Sequence, residues 1–304
     1  MYSDTHFHFE NFISRGINAQ ETLSHLAESD CFFALDIGTE HDDLIHRIKT
    51  VKDAVTSISD KTIQNKCRNF LYFSAGIWPS TEEIKNRKEN IDILKEKIKE
   101  AESSSQNDFP FNTKIIALGE CGLDHHWNPS GEDHRNAEDF STDMLKSEKE
   151  LFEMQLLLAK DLSLPVIIHS RDAFKETLES VKKIGYHNGI IHCYSYGKTE
   201  AKEFLDYGWY ISFSGSVTYT KKRCMNEMEE LIKSIPDDRI LVETDSPYLA
   251  PVPFRGKVNS PSLIKNTYDF IAKIKEISSE ELSALVDKNI SKLFNITKPD
   301  CKGN

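Results

Sequence analysis

Histidine and acidic residues recur in this sequence directly after short apolar segments. His6 and His8 are separated by one residue, and because alternate residues of an extended chain point to the same side, both can reach one metal ion. Further residues of ligand type follow other apolar segments, at Glu120, His169, His192 and the run from Glu243 to Asp245. Mixed nitrogen and oxygen ligands suit zinc, manganese or iron, and one carboxylate can bridge two such ions. The residue types therefore indicate a site for one or two divalent ions that activates water for hydrolysis.

The apolar segments that precede these residues alternate with segments of helical periodicity, which is typical of a parallel sheet. The predicted strands are 2–6, 32–37, 70–76, 114–119, 165–169, 189–192, 209–212 and 239–243. One predicted helix runs over 84–101 after a Ser80/Glu83 capping box, and another follows Ser278 and Glu281. Eight strand–helix units predict one (β/α)8 TIM-barrel domain over residues 1–304. In such a barrel, residues at the carboxyl ends of different strands converge on one pocket.

A polar run at residues 127–147 interrupts this pattern just after the fourth strand, which we expect to end at Glu120. Segments of this length between regular elements are uncommon in barrels and are often functional. We expect this insertion on the face that carries the site, either as a lid or as a mobile surface segment.

The composition is that of a globular protein with a net charge of −11. This balance argues against a protein that coats duplex DNA through many phosphate contacts, but not against one that binds a phosphate through bound cations. No apolar run is long enough to cross a membrane, the start does not resemble a secretory signal, and the six cysteines form no C-x-x-C pair. We therefore expect a cytoplasmic protein with reduced thiols. We also expect a monomer, since no sequence feature demands an interface.

Six motifs together resemble one known family. They are D-T-H-F-H (residues 4–8), G-E-C-G-L-D-H-H (119–126), P-V-I-I-H-S-R-D-A (165–173), I-I-H-C-Y-S (190–195), E-T-D-S-P-Y-L-A-P (243–251) and R-G-K-V-N (255–259). Over nearly the whole chain, their order and spacing resemble the TatD family of metal-dependent deoxyribonucleases. The resemblance implies a slightly irregular TIM barrel of the amidohydrolase type and 3′–5′ exonuclease activity on DNA. It also implies one or two divalent ions, which we expect to be zinc, manganese, iron or magnesium.

The resemblance assigns roles to individual residues. It implies that a first ion is held by His6, His8, Glu120 and Asp245, and a second by Glu120, His169 and His192. Asp245 would also be the general base that takes the proton of the attacking water. Glu243 would orient a metal-binding side chain or a water without binding the ion itself.

Candidates for binding the substrate phosphate are His126, Arg171 and Arg255. For Arg171 the alternative is a structural ion pair with Asp172 or another neighbour. The chain departs from the family pattern at Tyr196, where a glycine is usual, and at the 127–147 insertion. Both departures put the substrate preference in doubt more than the chemistry.

The leading hypothesis from the sequence is hydrolysis of a phosphodiester at a single-stranded or frayed 3′ end of DNA. One alternative keeps the metal site but acts on a small ester, amide or phosphoester. A second alternative, from another class, is a catalytically silent binding module. Hydrolysis of a substrate panel separates the first alternative from the hypothesis, and failure to bind any divalent ion would favour the second.

Overall fold

A computed structural model of the chain describes residues 2–104, 115–126 and 137–297. Within these residues, eight strands form one sheet in sequence order, and every neighbouring pair is parallel. The strands are β1 (Asp4–Phe7), β2 (Ala34–Asp36), β3 (Leu71–Ala75), β4 (Ile115–Asp124), β5 (Val166–Arg171), β6 (Gly189–Ile191), β7 (Tyr210–Phe213) and β8 (Ile240–Val242). All eight predicted strands are confirmed, and the fold is the predicted (β/α)8 barrel.

Helices follow the strands and cover the outside of the sheet. In the described residues they are α1 (Phe9–Ser14), α2 (Ala19–Glu28), α3 (Leu44–Thr56), α4 (Lys61–Phe70), α5 (Thr81–Lys85), α6 (Arg87–Ser104), α7 (Thr142–Leu162), α8 (Phe174–Ile184), α9 (Lys198–Asp206), α10 (Met225–Ser234), α11 (Ile264–Lys275) and α12 (Ser279–Phe294). Short 3-10 helices occupy Ala137–Phe140, Gly215–Tyr219, Lys222–Cys224 and Pro261–Leu263. The apolar faces of these helices and of the strands form one continuous buried core.

The ends of the sheet meet where β8 returns to β1. The backbone N–H of Asp245 donates to the carbonyl of His6 (2.9 Å), and the N–H of His8 donates to the carbonyl of Ser246 (2.8 Å). A single parallel bridge joins Phe7 to Ser246. These contacts close the barrel and hold the backbone of β1 against the segment that follows β8.

The fourth strand contains an irregularity that the sequence does not predict. Leu118 pairs with Val166, but Cys121 pairs with Ile168, so β4 carries one extra residue relative to β5 between these points. Such a bulge bends the strand and re-aims a side chain. The strand also continues to Asp124, so the expectation that it ends at Glu120 is wrong; Glu120 lies within β4 beside the bulge.

Gly122 is required for this continuation of β4 beside β5. It pairs with His169 and has φ +153°, and a Cβ on it would lie 1.8 Å from the carbonyl oxygen of His169. Only glycine fits where two backbones approach so closely. Asp124 can therefore pair with Arg171 at the far end of the same strands.

Two predicted helical features need correction. The segment 84–101 is two helices, because the short α5 ends before Asn86 and α6 starts at Arg87. Ser80 does cap α5, but the Glu83 side chain binds His41 and Asn90 and does not complete the capping box. The predicted capping box of Ser278 and Glu281 is confirmed at the start of α12.

Residues 127–136 of the predicted insertion lie outside the described residues. The remainder, 137–147, is a short 3-10 helix followed by the first turns of α7, whose start is capped by Ser141. Ser141, Thr142 and Asp143 are exposed at the start of α7, which explains why this part of the helix is polar. In the described part of the chain, no helix is both long and apolar enough to cross a membrane.

Candidate metal centre

The predicted ligand residues come together at the carboxyl ends of the strands. His6 lies in β1 and His8 follows it, Glu120 lies in β4, His169 in β5, His192 after β6, and Asp245 after β8. His169 is half-buried and the other five are buried. The barrel brings together side chains from five strands that are far apart in sequence.

The carboxylate of Glu120 lies between two pairs of histidines. Its Oε1 is 2.8 Å from Nδ1 of His169 and 3.0 Å from Nε2 of His192. Its Oε2 is 3.3 Å from Nε2 of His6 and 3.7 Å from Nε2 of His8. Each oxygen thus faces its own pair of imidazoles, which is the arrangement that a carboxylate bridging two ions requires.

Asp245 lies beside one of these pairs. Its Oδ1 is 3.5 Å from Nε2 of His8 and 3.6 Å from Nε2 of His6, and those two nitrogens are 3.2 Å apart. Between the pairs, the rings of His6 and His192 stack with their centroids 4.0 Å apart. The six side chains form one continuous cluster.

Burial and mutual contact shift the pKa values across this cluster. Burial would raise the pKa of Glu120, but His192 and hydrogen bonds from the histidines lower it well below its usual value. Burial and the neighbouring His192 lower the pKa of His6. Burial also lowers the pKa of His169, but hydrogen bonds to Asp124 and Glu120 outweigh it and raise the value to about 9. The carboxylates are therefore ionised near neutral pH, as metal ligands must be.

The donor set fits divalent ions. His6, His8 and Glu120 offer three ligand atoms within 4.8 Å of one another, and so do Glu120, His169 and His192. A third set of atoms, from His6, His192 and Glu243, meets the same criterion because the His6 and His192 rings stack. Several imidazoles around two buried carboxylates are costly to desolvate unless a cation satisfies them. The first two sets coincide with the two groups implied by the sequence resemblance, apart from Asp245.

Glu243 lies behind His192. Its Oε1 is 3.3 Å from Nδ1 of His192 and accepts a hydrogen bond from the N–H of Cys193 (2.5 Å). Its Oε2 accepts from Ser212 Oγ (2.7 Å). The carboxylate is fully buried, and these contacts fix the orientation of the His192 ring.

Asp124 is a residue of the centre that sequence reasoning missed. Its Oδ2 is 3.0 Å from Nε2 of His169, whose Nδ1 faces Glu120, and its Oδ1 accepts from the N–H of His126 (2.9 Å). The backbone N–H of Asp124 donates to the buried Glu148 (2.8 Å). The available signal in the sequence was that Asp124 follows Glu120 by four residues. This spacing places the two side chains on the same face of a strand, but only if β4 continues past Gly119.

Asp4 was missed as well. It is fully buried, and it accepts hydrogen bonds from Oγ1 and N–H of Thr244 (2.6 and 2.9 Å) and from the N–H of His6 (3.2 Å). Burial raises its pKa to about 7. Asp4 thus links β1 to Thr244, which lies between Glu243 and Asp245. Its position two residues before His6 was the available signal.

The three predicted phosphate-binding residues lie at the rim and not in the cluster. His126 Nδ1 is 2.7 Å from Oδ2 of Asp172. Arg171 is exposed, and its Nη1 lies 4.0 Å from Oδ2 of Asp124, so the ion pair of the alternative forms with Asp124 and not with Asp172. Arg255 is exposed and stacks on the ring of Tyr219, 4.3 Å from its centroid.

Tyr196, the departure from the family pattern, organises the loop between β5 and α8. Its Oη is 2.8 Å from Ser170 Oγ and accepts from the N–H of Ala173 (3.1 Å). Its ring packs against Phe174. The hydroxyl therefore supports the loop that follows Arg171, and a glycine could not.

Comparison with protein families gives a match over nearly the whole chain. The sequence profile described as "TatD related DNase" matches residues 3–295. A relative from Bacillus subtilis, the uncharacterized metal-dependent hydrolase YabD, is 35% identical over 75% of this chain and 79% of its own length. The uncharacterized metal-dependent hydrolase YcfH of Escherichia coli is 30% identical over 96% of this chain and 95% of its own.

Solved structures share the fold. The structure of YJJV, a TatD homolog from Escherichia coli, superposes with a TM-score of 0.74 at 22% identity, covering 97% of this chain and 98% of that one. A TatD family hydrolase from Entamoeba histolytica gives a TM-score of 0.71 at 18% identity, covering 92% and 90%. At these identities the structural likeness concerns the barrel alone.

Proposed function

Because the chain belongs to the TatD family and is a metal-dependent hydrolase, we propose that it removes nucleotides from the 3′ end of single-stranded or frayed DNA. The observation that carries this proposal is the Glu120 carboxylate, each oxygen of which faces a separate pair of histidines. Paired ions are the usual means of cleaving phosphodiesters, whose attacking and leaving oxygens both need stabilisation. The net charge of −11 favours a terminal substrate over the interior of a duplex.

We propose that the ions are held as the sequence motifs imply. The first would be held by His6, His8, Glu120 and Asp245, and the second by Glu120, His169 and His192. When bound, such ions lower the pKa of a water and offset the charge of the phosphate. The mixed nitrogen and oxygen donors favour zinc, manganese or iron over magnesium.

The protein's own residues would orient the reactants and move the proton. Asp245 is ionised near neutral pH, since a hydrogen bond from His8 and the nearby His6 lower its pKa despite burial. It can therefore accept a proton from the attacking water. Glu243 would hold His192, and Asp124 would hold His169, each on the ring nitrogen that faces away from the cluster.

The rim residues supply the groups that would bind the phosphate chain. Arg171 follows His169 by two residues at the end of β5, and Arg255 lies in the loop after β8. Both are exposed guanidinium groups, which suit two-point contact with phosphate oxygens. His126 would contribute through Nε2, because its Nδ1 is held by Asp172.

The proposal is tested by hydrolysis of 3′- and 5′-labelled single-stranded and duplex DNA. Chelated protein would be assayed with and without added Mg²⁺, Mn²⁺ or Zn²⁺. Stepwise shortening from the 3′ end, restored by an ion, is the expected result. If protein that binds metal cleaves no DNA but cleaves a small ester, amide or phosphoester, the DNA assignment is wrong and the small-substrate alternative is correct.

Asp124→Asn is expected to weaken metal binding by about 10- to 100-fold, because an amide orients the imidazole of His169 less firmly than a carboxylate does. Metal affinity would be measured by competition with a chromophoric chelator. Asp139→Asn is the matched control, since Asp139 is also a buried aspartate but bonds Thr81 away from the cluster. Equal metal affinity in Asp124→Asn and wild type would contradict the orienting role.

Metal affinity is expected to increase with pH up to about 9. The metal-free His169 has a pKa raised to about 9, so below that pH its imidazole carries a proton that must leave before a metal can bind. Calorimetric titrations in two buffers of different ionisation enthalpy would count the protons released. We expect at least one proton released per protein near neutral pH. An affinity that does not change between about pH 6 and 9 would contradict the raised pKa of His169.

A further inference from the structure

Two loops beside the metal centre carry an unpaired cluster of basic side chains. We call Lys221, Lys222, Arg223, Arg255 and Lys257 the basic rim. All five are exposed, and none has an acidic partner within the residues that the structure describes. Elsewhere on the described surface, several lysines pair with acids one helical turn away, as in Lys49–Asp53 and Lys202–Asp206. An uncompensated cationic cluster on a chain of net charge −11 is therefore a local feature that favours an anionic partner.

The loops that carry the basic rim are fastened to each other. The hydroxyl of Tyr219 donates to the carbonyl of Ala250 (2.6 Å), and the N–H of Val252 donates to Oγ1 of Thr218 (2.9 Å). The Arg255 guanidinium stacks on the Tyr219 ring, 4.3 Å from its centroid. The cations of both loops thus belong to one surface, and one of them is held in position.

One loop of this surface also carries a residue of the metal centre. The loop after β8 contains Asp245, and the fully buried Asn259 near its other end donates to the carbonyls of Thr244 and Tyr248 (2.9 and 2.6 Å). Arg255 lies on this loop. A DNA strand that leaves the centre past Asp245 and follows this loop would reach the basic rim.

The basic rim also includes exposed apolar side chains. Val252 and Val258, on either side of Arg255, are 48% and 37% exposed, and the ring of Phe254 is half-buried beneath the Lys257 amine. A duplex offers only phosphates to such a surface, whereas a single strand offers both phosphates and unstacked bases. The combination therefore fits a single strand best.

We propose that the basic rim binds the nucleotides of single-stranded DNA that lie 5′ of the one at the metal centre. This inference rests on the proposed function for the polarity of the strand. It makes Lys221, Lys222 and Arg223 determinants of substrate length. They contact the strand away from the reacting phosphate, so they affect affinity for long substrates and do not take part in the chemistry.

The test compares two double variants of the full-length, metal-loaded protein. Lys221→Glu/Lys222→Glu reverses two charges of the basic rim. Lys288→Glu/Lys292→Glu reverses two charges on α12, where both lysines are exposed and Lys292 lies 4.0 Å from Asp238. That helix ends at Phe294, which stacks on Phe33 just before β2, so the control lies at the opposite end of the barrel. Fluorescence anisotropy would report binding of phosphorothioate oligo-dT, which resists hydrolysis.

For a strand of about 16 nucleotides, we expect the rim variant to raise Kd by at least about tenfold. Losing two phosphate contacts should also reduce the slope of log Kd against log salt concentration by about 1.4. The control variant should bind as the wild type does. Equal Kd values for the rim variant and wild type would overturn the inference, as would an equal loss in the control. Tighter binding of duplex DNA or of oligo-U than of oligo-dT would overturn the assignment to single-stranded DNA.

The same experiment separates this inference from the proposed function. If the wild type cleaves DNA from the 3′ end and the rim variant binds normally, only the inference fails. If the wild type binds oligo-dT through the basic rim but cleaves no DNA with any ion, the proposed function fails and the binding surface stands.

Discussion

Glu120→Gln is expected to lower the rate of DNA hydrolysis by about three orders of magnitude, which corresponds to about 4 kcal/mol of transition-state stabilisation. Glutamine has nearly the same size, but it is neutral and presents one oxygen where Glu120 presents two. In the wild type, Oε1 faces His169 and His192 while Oε2 faces His6 and His8. The variant would therefore lose the group common to both halves of the cluster.

The measurement is cleavage of 3′-labelled single-stranded DNA together with metal content by mass spectrometry. We expect less bound metal in the variant and an unchanged circular dichroism spectrum, since the substitution preserves volume. Glu83→Gln is the matched control, because Glu83 is also buried but hydrogen-bonds His41 and Asn90 outside the cluster. If Glu120→Gln keeps a tenth or more of wild-type activity, Glu120 does not bridge two ions. A loss of about tenfold or less could come from a general effect of the substitution on the protein.

Asp245→Asn is expected to lower kcat by about 10²- to 10⁴-fold, the range that a positioned general base contributes. Asparagine keeps an oxygen near His6 and His8 but cannot accept a proton. The wild-type carboxylate can, because its lowered pKa leaves it ionised near neutral pH. Removal of the base should therefore reduce the rate more than it reduces binding of metal or DNA.

Comparison of kcat with metal content distinguishes the two roles of Asp245. A large fall in kcat with metal retained supports the general base, and a parallel fall in both supports a role as ligand alone. Asp139→Asn again serves as the control, since it removes a buried carboxylate from a distant contact with Thr81. Wild-type kcat in fully folded Asp245→Asn would exclude both roles.

Together these variants test whether the cluster acts as one unit. Glu120 and Asp245 face the same two imidazoles, so their effects should not be additive. We expect the double variant to be about as inactive as Glu120→Gln alone, as is usual for groups that act together. Fully multiplicative losses would indicate that the two carboxylates act independently.

The sequence by itself determined the barrel and the composition of its candidate site. Eight apolar segments alternate with helical periodicity, and each coincides with an observed strand because buried parallel strands need continuous apolar residues. His6, His8, His169, His192 and Asp245 could be assigned to the site because they lie at or next to strand ends. Barrel topology brings such positions together whatever their separation in sequence. The family could be identified from the six motifs because their residues occur in a fixed order and at fixed spacing along the chain.

Only the tertiary structure decided how these side chains face one another. That Glu120 lies within β4, and that Asp124 reaches His169, depends on a bulge and on the backbone of β5 passing beside Gly122. Likewise, the contact of Arg255 with Tyr219 depends on two loops that are joined only in the folded chain. Local sequence sets residue type and periodicity, but register, bulges and loop contacts are set by long-range packing, which no local pattern encodes.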